Sequence, residues 1–249
     1  MNREAFFTAL RKRDSGLFGT SLSPKQKAGI ESILDAVEGE LTDVQHVANV
    51  LAQVYRETGG YMSPIKETVM PWHKDKNPSD AEVIRRLDRA WAKGQLKGVK
   101  APYWRDGEFG RGQIQVTHRD NRLKLAAVTG IDFGNNRDLL LDPKSSAIAA
   151  VAGMKFGIFR GKKLADYKFP DALDAPPSRN PRRIVNGNDG SDREVAQNHR
   201  VFLAALEAAG WGAKPRLVPQ ERPAPLLLTP RERPVEARPA PQQPTPAPT

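Results

Sequence analysis

Two glutamates have the residue type and the spacing that chemistry could use. Glu57 closes a mostly apolar stretch, and Glu67 follows ten residues later, beyond Gly59, Gly60 and Pro64. Cleavage of a glycosidic bond by acid–base catalysis requires at least two carboxyl groups that flank one cleft. The simpler interpretation is that Glu57 merely ends a helix and Glu67 is a solvated loop charge, because structural carboxylates often resemble catalytic ones.

The local sequence around Glu57 favours a proton donor. Between Val44 and Tyr55, apolar residues recur at steps of three and four, which predicts an amphipathic helix, and Gly59 can adopt the left-handed conformation that ends it. Glu57 would then lie in the last turn, where the negative end of the helix dipole and partial burial both favour the protonated carboxyl. A carboxylic acid that keeps its proton near neutral pH is what a general acid requires. The adjacent Arg56 would act in the opposite sense.

Composition excludes several other kinds of chemistry. The chain of 249 residues contains no cysteine, so it has neither a disulfide framework nor a thiolate nucleophile. Its four histidines are scattered, and none forms a close-spaced ligand pair. We therefore expect no metal and no cofactor.

The net charge of +10 indicates an anionic partner such as an acidic cell envelope. Lysine and arginine are spread along the whole chain rather than clustered on one helix, which argues against a specific nucleic-acid partner. No apolar run approaches the roughly 20 residues that a transmembrane helix needs. The first 14 residues also lack the pattern of a secretory signal peptide.

The remaining elements are predicted to be mainly helical. Apolar stripes and capping residues predict helices over about 2–14, within 22–41, from 44 to the Gly-Gly turn, and over about 79–96, 117–128, 143–159 and 191–209. Ser79 with Glu82 and Ser191 with Glu194 have the spacing of capping boxes. A small β or loop element is expected near 103–116. Residues 212–249 contain 11 of the 21 prolines and no aromatic residue, which predicts a disordered tail after a domain over 1–211.

Four segments together resemble the glycoside hydrolase family 19 domain, in the bacteriophage endolysin branch that is related to plant class I chitinases. The resemblance covers about residues 40–210, and the segments occur in the family's order and approximate spacing. The most specific is the GRGxxQxT pattern followed four residues later by asparagine. The segments are RETGGYMSPIKE (56–67), FGRGQIQVTHRDN (109–121), LLLDPKSSAIAAVAGM (139–154) and RRIVNGNDG (182–190).

The resemblance implies a lysozyme-like, two-lobed helical fold with a cleft between the lobes, and a role for individual residues. Glu57 matches the general acid, and Glu67 matches the carboxylate that serves as general base. Thr117 matches the hydroxyl residue that holds the attacking water. The expected substrate-binding residues are Gln115, Asn121 and Asn186, together with Arg111, which could also brace the acidic centre. The family inverts anomeric configuration, which requires the two carboxyl groups to be about 6.5–9.5 Å apart.

The hypothesis is a monomeric endolysin that hydrolyses the β-1,4 glycan strands of peptidoglycan. It would stay in the host bacterial cytoplasm until released to the cell wall. One alternative is a chitinase acting on N-acetylglucosamine polymers, and another is a lytic transglycosylase, which needs one acid and no water-activating base. From a different class, the chain could be a non-catalytic wall-binding or virion-structural module.

Overall fold

Helices that pack around one large apolar core form most of the fold. The computed structural model describes residues 1–12, 16–67, 73–96 and 98–212. Within these ranges the predicted mainly helical fold with a small β element is confirmed. The α-helices are α1 (Arg3–Leu10), α2 (Pro24–Val37), α3 (Val44–Thr58), α4 (Asp80–Ala92), α5 (Arg119–Thr129), α6 (Pro143–Phe156) and α7 (Asp192–Ala208). None of the described helices is long and apolar enough to cross a membrane.

Helix α3 lies at the centre of the large core, which also includes residues of α1, α2, α6 and α7. Val47, Leu51 and Val54 of α3 are fully buried in it. The Asp43 side chain accepts a hydrogen bond from Gln45 N at the start of α3, and Gly59 ends the helix in the left-handed conformation. Two well-defined ends therefore fix where Glu57 falls, in the last turn.

Two short strands form the β element. Strand β1 (Ile65–Lys66) pairs antiparallel with β2 (Arg111–Gly112), with Ile65 opposite Gly112. Two smaller apolar clusters support this region. One contains Val116 and residues that follow it, and the other packs Trp104 and Phe109 against α4.

The side chains that cap the helix starts agree with the sequence patterns only in part. Ser23 caps α2 before Pro24, in a complete capping box with Gln26. Ser79 caps α4 by accepting a hydrogen bond from Glu82 N, but the Glu82 carboxylate pairs with Arg85 and Arg86, so the predicted capping box is only half formed. The predicted box of Ser191 with Glu194 is wrong: the Ser191 hydroxyl donates to Asp189 Oδ1 instead, at 2.7 Å.

The proline-rich segment after Gly212 lies outside the described residues, as do residues 13 and 14 of the first predicted helix. The predicted disordered tail therefore stays a prediction.

Candidate functional site

One polar cleft contains six of the seven predicted site residues. Its volume is about 460 Å³, and both Glu57 and Glu67 line it. The wall combines amide, hydroxyl and carboxylate side chains with apolar ones, a mixture that suits a saccharide, whose rings have polar edges and apolar faces. The lining residues are Glu57, Ile65, Glu67, Ile114, Gln115, Val116, Thr117, Asn121, Phe159, Arg160, Val185 and Asn186.

Glu57 is held in the cleft by an arginine that is distant in sequence. The Glu57 side chain is only 12% exposed, and its Oε1 accepts a hydrogen bond from Arg182 Nη2 at 2.5 Å. Arg182 belongs to a short 3₁₀ turn, Pro181–Ile184, and is itself buried. Arg56, the cation next to Glu57 in sequence, pairs instead with Glu194 at 3.3 Å. The cation that matters for Glu57 is therefore Arg182.

Asp189 shares the Arg182 guanidinium with Glu57. Asp189 Oδ2 lies 2.7 Å from Arg182 Nη2. Burial alone would raise the pKa of Asp189, but hydrogen bonds from Arg182 and Ser191 outweigh it and hold that pKa at about 2. Burial would lower the pKa of Arg182, yet Asp189 and Glu57 together raise it. Asp189 is thus ionised at neutral pH and neutralises Arg182 in advance.

This sharing determines what Glu57 can do. A guanidinium only donates hydrogen bonds, so a proton on Glu57 must sit on Oε2, the oxygen that Arg182 does not contact. Since Asp189 already balances the arginine charge, a neutral Glu57 leaves no unpaired buried cation behind. The contacts of Arg182 are therefore compatible with a proton on Glu57 Oε2, the position from which a general acid would donate.

Glu67 follows β1 and has neutral hydrogen-bond donors. Tyr103 Oη donates to Glu67 Oε1 at 2.8 Å, and Gly110 N donates to Glu67 Oε2 at 2.8 Å. Burial, with the Glu67 charge as a second cause, raises the pKa of Tyr103, so the phenol keeps its proton and remains a donor. Both Glu67 oxygens therefore accept hydrogen bonds from neutral donors.

The loop after β2 places three polar residues beside Glu67. Gln115 has a positive φ of 52°, and its Nε2 donates to Ile65 O and Gly112 O, which ties the loop across the two strands. Thr117 Oγ1 donates to Gln115 O at 3.1 Å. Asn121 Nδ2 donates to Thr117 O at 3.0 Å. The Thr117 oxygen and Asn121 Oδ1 keep acceptor capacity for water or sugar hydroxyls.

Asn186 and Arg160 also line the cleft. Asn186 Nδ2 donates to Asp189 Oδ2 at 3.3 Å, and its Oδ1 accepts from Gly187 N at 2.7 Å. The exposed Arg160 lies beside this turn: a Cβ added at Gly187 would be 3.4 Å from Arg160 Nη2. Arg160 forms no ion pair with the residues that the structure describes, so its charge is available to a ligand.

Arg111 is the predicted site residue that lies apart from the cleft lining. Its side chain is 1% exposed and forms ion pairs with Asp80 at 2.7 Å and Asp138 at 3.1 Å. The guanidinium carbon also lies 3.9 Å from the centre of the Phe109 ring. Arg111 braces the β element against α4 rather than touching the two glutamates, so the expected sugar contact does not fit its position.

Four residues at the site were not assigned from the sequence, namely Arg182, Asp189, Tyr103 and Arg160. Arg182 and Asp189 both occur in the RRIVNGNDG segment, where only Asn186 received a role. The available signal was an arginine and an aspartate within one short polar turn. Tyr103 and Arg160 had no such signal, because their roles depend on where distant segments meet.

Comparison with known proteins identifies no family. No family model matches the sequence, and no curated protein matches it. Two solved structures resemble the fold at low similarity. A chitinase C mutant shares 17% identity, with 84% of this chain and 92% of that chain covered and a TM-score of 0.48. Chitinase C from Streptomyces griseus HUT6037 shares 18% identity, with 86% and 78% covered and a TM-score of 0.47. Similarity at this level carries no functional argument.

Proposed function

We propose that the chain is an endolysin-type glycoside hydrolase that cleaves β-1,4 bonds in the glycan strands of peptidoglycan. The observation that carries the proposal is that Glu57 and Glu67 line one cleft in different hydrogen-bonding environments. Glu57 has one oxygen bound to a neutralised arginine, whereas both oxygens of Glu67 accept from donors that stay protonated. The acid role is assigned to the carboxyl group with one oxygen free to carry a proton, and the base role to the carboxyl group whose two oxygens both accept hydrogen bonds.

In the proposed mechanism, Glu57 protonates the leaving glycosidic oxygen from Oε2. Glu67 accepts a proton from a water molecule, which adds to the anomeric carbon from the opposite face as the glycosidic bond breaks. Thr117 accepts a hydrogen bond from this water and orients it. The products are a sugar with an inverted new reducing end and a free hydroxyl on the leaving sugar. The reaction needs no cofactor.

Arg160 favours an anionic glycan over a neutral one. Chitin has no charged group to pair with a guanidinium in the cleft, whereas the muramyl sugars and peptides of peptidoglycan have carboxylates. The net charge of +10 acts in the same direction over a longer range. A chitinase is therefore the second candidate. We also propose that the enzyme acts as a monomer and remains in the host bacterial cytoplasm until it is released to the wall.

The test is product analysis on purified peptidoglycan and, in parallel, on N-acetylglucosamine oligomers. The wild-type protein should release new reducing ends from peptidoglycan, and Glu57→Gln should lower kcat by about 10²–10⁴-fold, the range for loss of a general acid. Glu40→Gln, an exposed carboxylate paired with Lys155, is the matched control and should act like the wild type.

Mass spectrometry and NMR of the products separate the alternatives. Hydrolysis with inversion supports the proposal. Anhydro-muramyl products would identify a lytic transglycosylase, and cleavage of N-acetylglucosamine oligomers alone would identify a chitinase. Binding to walls with no reducing ends released would contradict an enzyme and favour a wall-binding module.

A further inference from the structure

A row of polar side chains runs along α3 to Glu57. Gln45, Asn49, Gln53 and Glu57 are four residues apart, so they lie on one face of the helix. Asn49 and Gln53 are fully buried, although the helix lies at the centre of the large apolar core. Buried amides destabilise a core unless their hydrogen bonds are satisfied. Their partners therefore show what this row does.

The partners of Gln53 allow only one orientation of its amide. Gln53 Nε2 donates to Pro181 O at 3.0 Å and to Asn49 Oδ1 at 3.4 Å. Gln53 Oε1 accepts from Arg182 Nη1 at 2.8 Å. A backbone carbonyl can only accept and a guanidinium can only donate, so a reversed amide would lose both of these contacts.

The same logic extends from Asn49 to a buried histidine. Because Asn49 Oδ1 accepts from Gln53, Asn49 Nδ2 faces His199 Nδ1, at 3.4 Å. His199 Nδ1 must then be unprotonated, and its proton is on Nε2, which lies 2.8 Å from Gln45 Oε1. His199 is fully buried on α7 and stacks on Phe169, with ring centres 5.1 Å apart.

The surroundings of His199 favour this neutral form. Burial, with the nearby Arg200 as a second cause, lowers the pKa of His199 to about 4. The other charged or titratable groups that act on it are Asp43 before α3 and His46 on α3. A protonated ring would place an N–H against the Asn49 amide, donor against donor.

We propose that Gln53, Asn49 and His199 form a one-directional hydrogen-bond relay that positions Arg182 against Glu57. Within this relay Arg182 donates to Gln53, Gln53 to Asn49, Asn49 to His199, and His199 to Gln45. The relay holds Arg182 Nη1 and leaves Nη2 for Glu57 and Asp189. Its three members are positioning residues, and their effect on turnover depends on the proposed role of Glu57 as general acid.

The first test is the tautomer of His199 in the full-length wild-type chain, measured by ¹⁵N NMR at pH 7. The relay requires a protonated Nε2 and an unprotonated Nδ1. In Asn49→Asp the new carboxylate can only accept, so the proton should appear on Nδ1. A wild-type ring with the proton on Nδ1 would overturn the relay, whatever the enzyme does.

The second test is kinetic. Gln53→Met keeps the side-chain length but removes the hydrogen bonds, and it should lower kcat on peptidoglycan by about 10–100-fold with little change in KM, as expected for a misplaced acid. Asn49→Leu, one step further away, should show a smaller loss. The matched control is Gln197→Met, the same change at an exposed position of α7.

Wild-type kcat in folded Gln53→Met would refute the positioning role. Unfolding of Gln53→Met would leave Asn49→Leu to decide the point, with unchanged kcat again counting against it. A wild-type protein that cleaves no glycan would refute the proposed function and with it the role in turnover, while the tautomer measurement would still decide whether the relay exists.

Discussion

The orientation of Glu57 in the cleft depends on Arg182. Arg182 contacts Glu57, Asp189 and Gln53, and these contacts use both terminal nitrogens of its guanidinium. Because Arg182 lies 125 positions from Glu57, helix periodicity could not have linked the two. Sequence patterns predicted that both glutamates and the loop after β2 belong to the site. Arg182, the partner that orients Glu57, could be identified only from the folded structure.

Two different replacements of Arg182 should separate the effect of its positive charge from the effect of its hydrogen-bond geometry. Arg182→Ala should lower the free energy of unfolding by about 3–5 kcal/mol, because it leaves buried partners uncompensated. Arg182→Lys keeps the positive charge, but one ammonium group cannot reproduce the planar fork. We expect Arg182→Lys to fold and to lose most of kcat. Urea unfolding and kcat on peptidoglycan measure the two effects, and wild-type kcat in Arg182→Lys would contradict the geometric role.

Arg160 provides a test of substrate charge. Arg160→Gln should lower kcat/KM on peptidoglycan by about 10-fold, the effect of losing roughly 1.4 kcal/mol of binding from one exposed charge-assisted contact. Arg160→Lys should recover part of this loss. The comparison is with glycan strands whose carboxylates have been amidated, on which the wild type and Arg160→Gln should act alike. An equal loss on both substrates would show that Arg160 does not read charge.

His199 should make stability fall as the solution becomes acidic. The unfolded chain binds a proton on this histidine below about pH 6.5, whereas the folded chain does so only near its lowered pKa of about 4. Protonation therefore favours unfolding, by about 1.4 kcal/mol per pH unit and about 3 kcal/mol across that window. The difference in unfolding free energy between the wild type and His199→Gln should change by this amount between pH 7 and pH 4. Gln197→Met, at an exposed position of α7 and without loss of a titratable group, is the control, and it should show no such change.

Asp189 adds a separate loss at lower pH. Its folded-state pKa of about 2 lies below the ordinary value, so its stabilisation is present above about pH 4 and disappears as pH falls toward 2. The losses from His199 and Asp189 therefore follow each other, which allows the two residues to be distinguished in one acid titration.

Among the elements, α2 controls the position of the segment that leads to Glu67. Gly29 of α2 packs so closely that a Cβ there would lie 2.3 Å from Met62 O. Gln113 Nε2 donates to both Gly29 O and Met62 O, at 3.1 and 2.6 Å, and this pins the contact. The position of Glu67 thus depends on a small residue in a helix that does not line the cleft.

Gly29→Ala tests this dependence through its sign. In an exposed helix the change would be stabilising by about 0.5–1 kcal/mol. Here we expect destabilisation of about 1–3 kcal/mol, as in other overpacked cores, together with lower kcat. Thermal unfolding and turnover are the measurements. Lys25→Ala, at an exposed position four residues earlier in the same helix, should change stability by less than about 0.5 kcal/mol. A stabilised Gly29→Ala would contradict the close contact.

Helices could be predicted from the sequence where one local signal, an apolar stripe or a capping residue, dominated. Apolar stripes and capping residues located α2, α3 and α4, because burial of one helix face and satisfaction of the first N–H groups are local requirements. The β1–β2 pairing is too short to leave a pattern of period two. The Ser191–Glu194 box failed because Asp189, itself bound to Arg182, takes the Ser191 hydroxyl. Local rules gave way where tertiary contacts competed for the same group.

At the scale of the whole molecule, the net charge of +10 should govern attachment to the wall rather than catalysis. Raising salt from about 0.05 M to about 0.5 M shortens the screening length several-fold and should weaken binding to intact walls. Hydrolysis of short soluble strands should change much less. A chain truncated after Gly212 should keep wild-type kcat on those strands. Sedimentation with walls and reducing-end assays provide the two readouts.

Helix α3 is at once the middle of the core and the support of Glu57. Joint replacement of hydrogen-bonded buried amides by apolar residues of similar volume can be neutral or even stabilising, whereas a single replacement leaves a partner unsatisfied. An engineer who selected variants for heat resistance alone would therefore be drawn to Asn49 and Gln53. Such a screen would enrich variants that are more heat-stable but inactive. Substitutions meant to raise stability without loss of activity are better placed on the outer helices, away from the polar row that ends at Glu57.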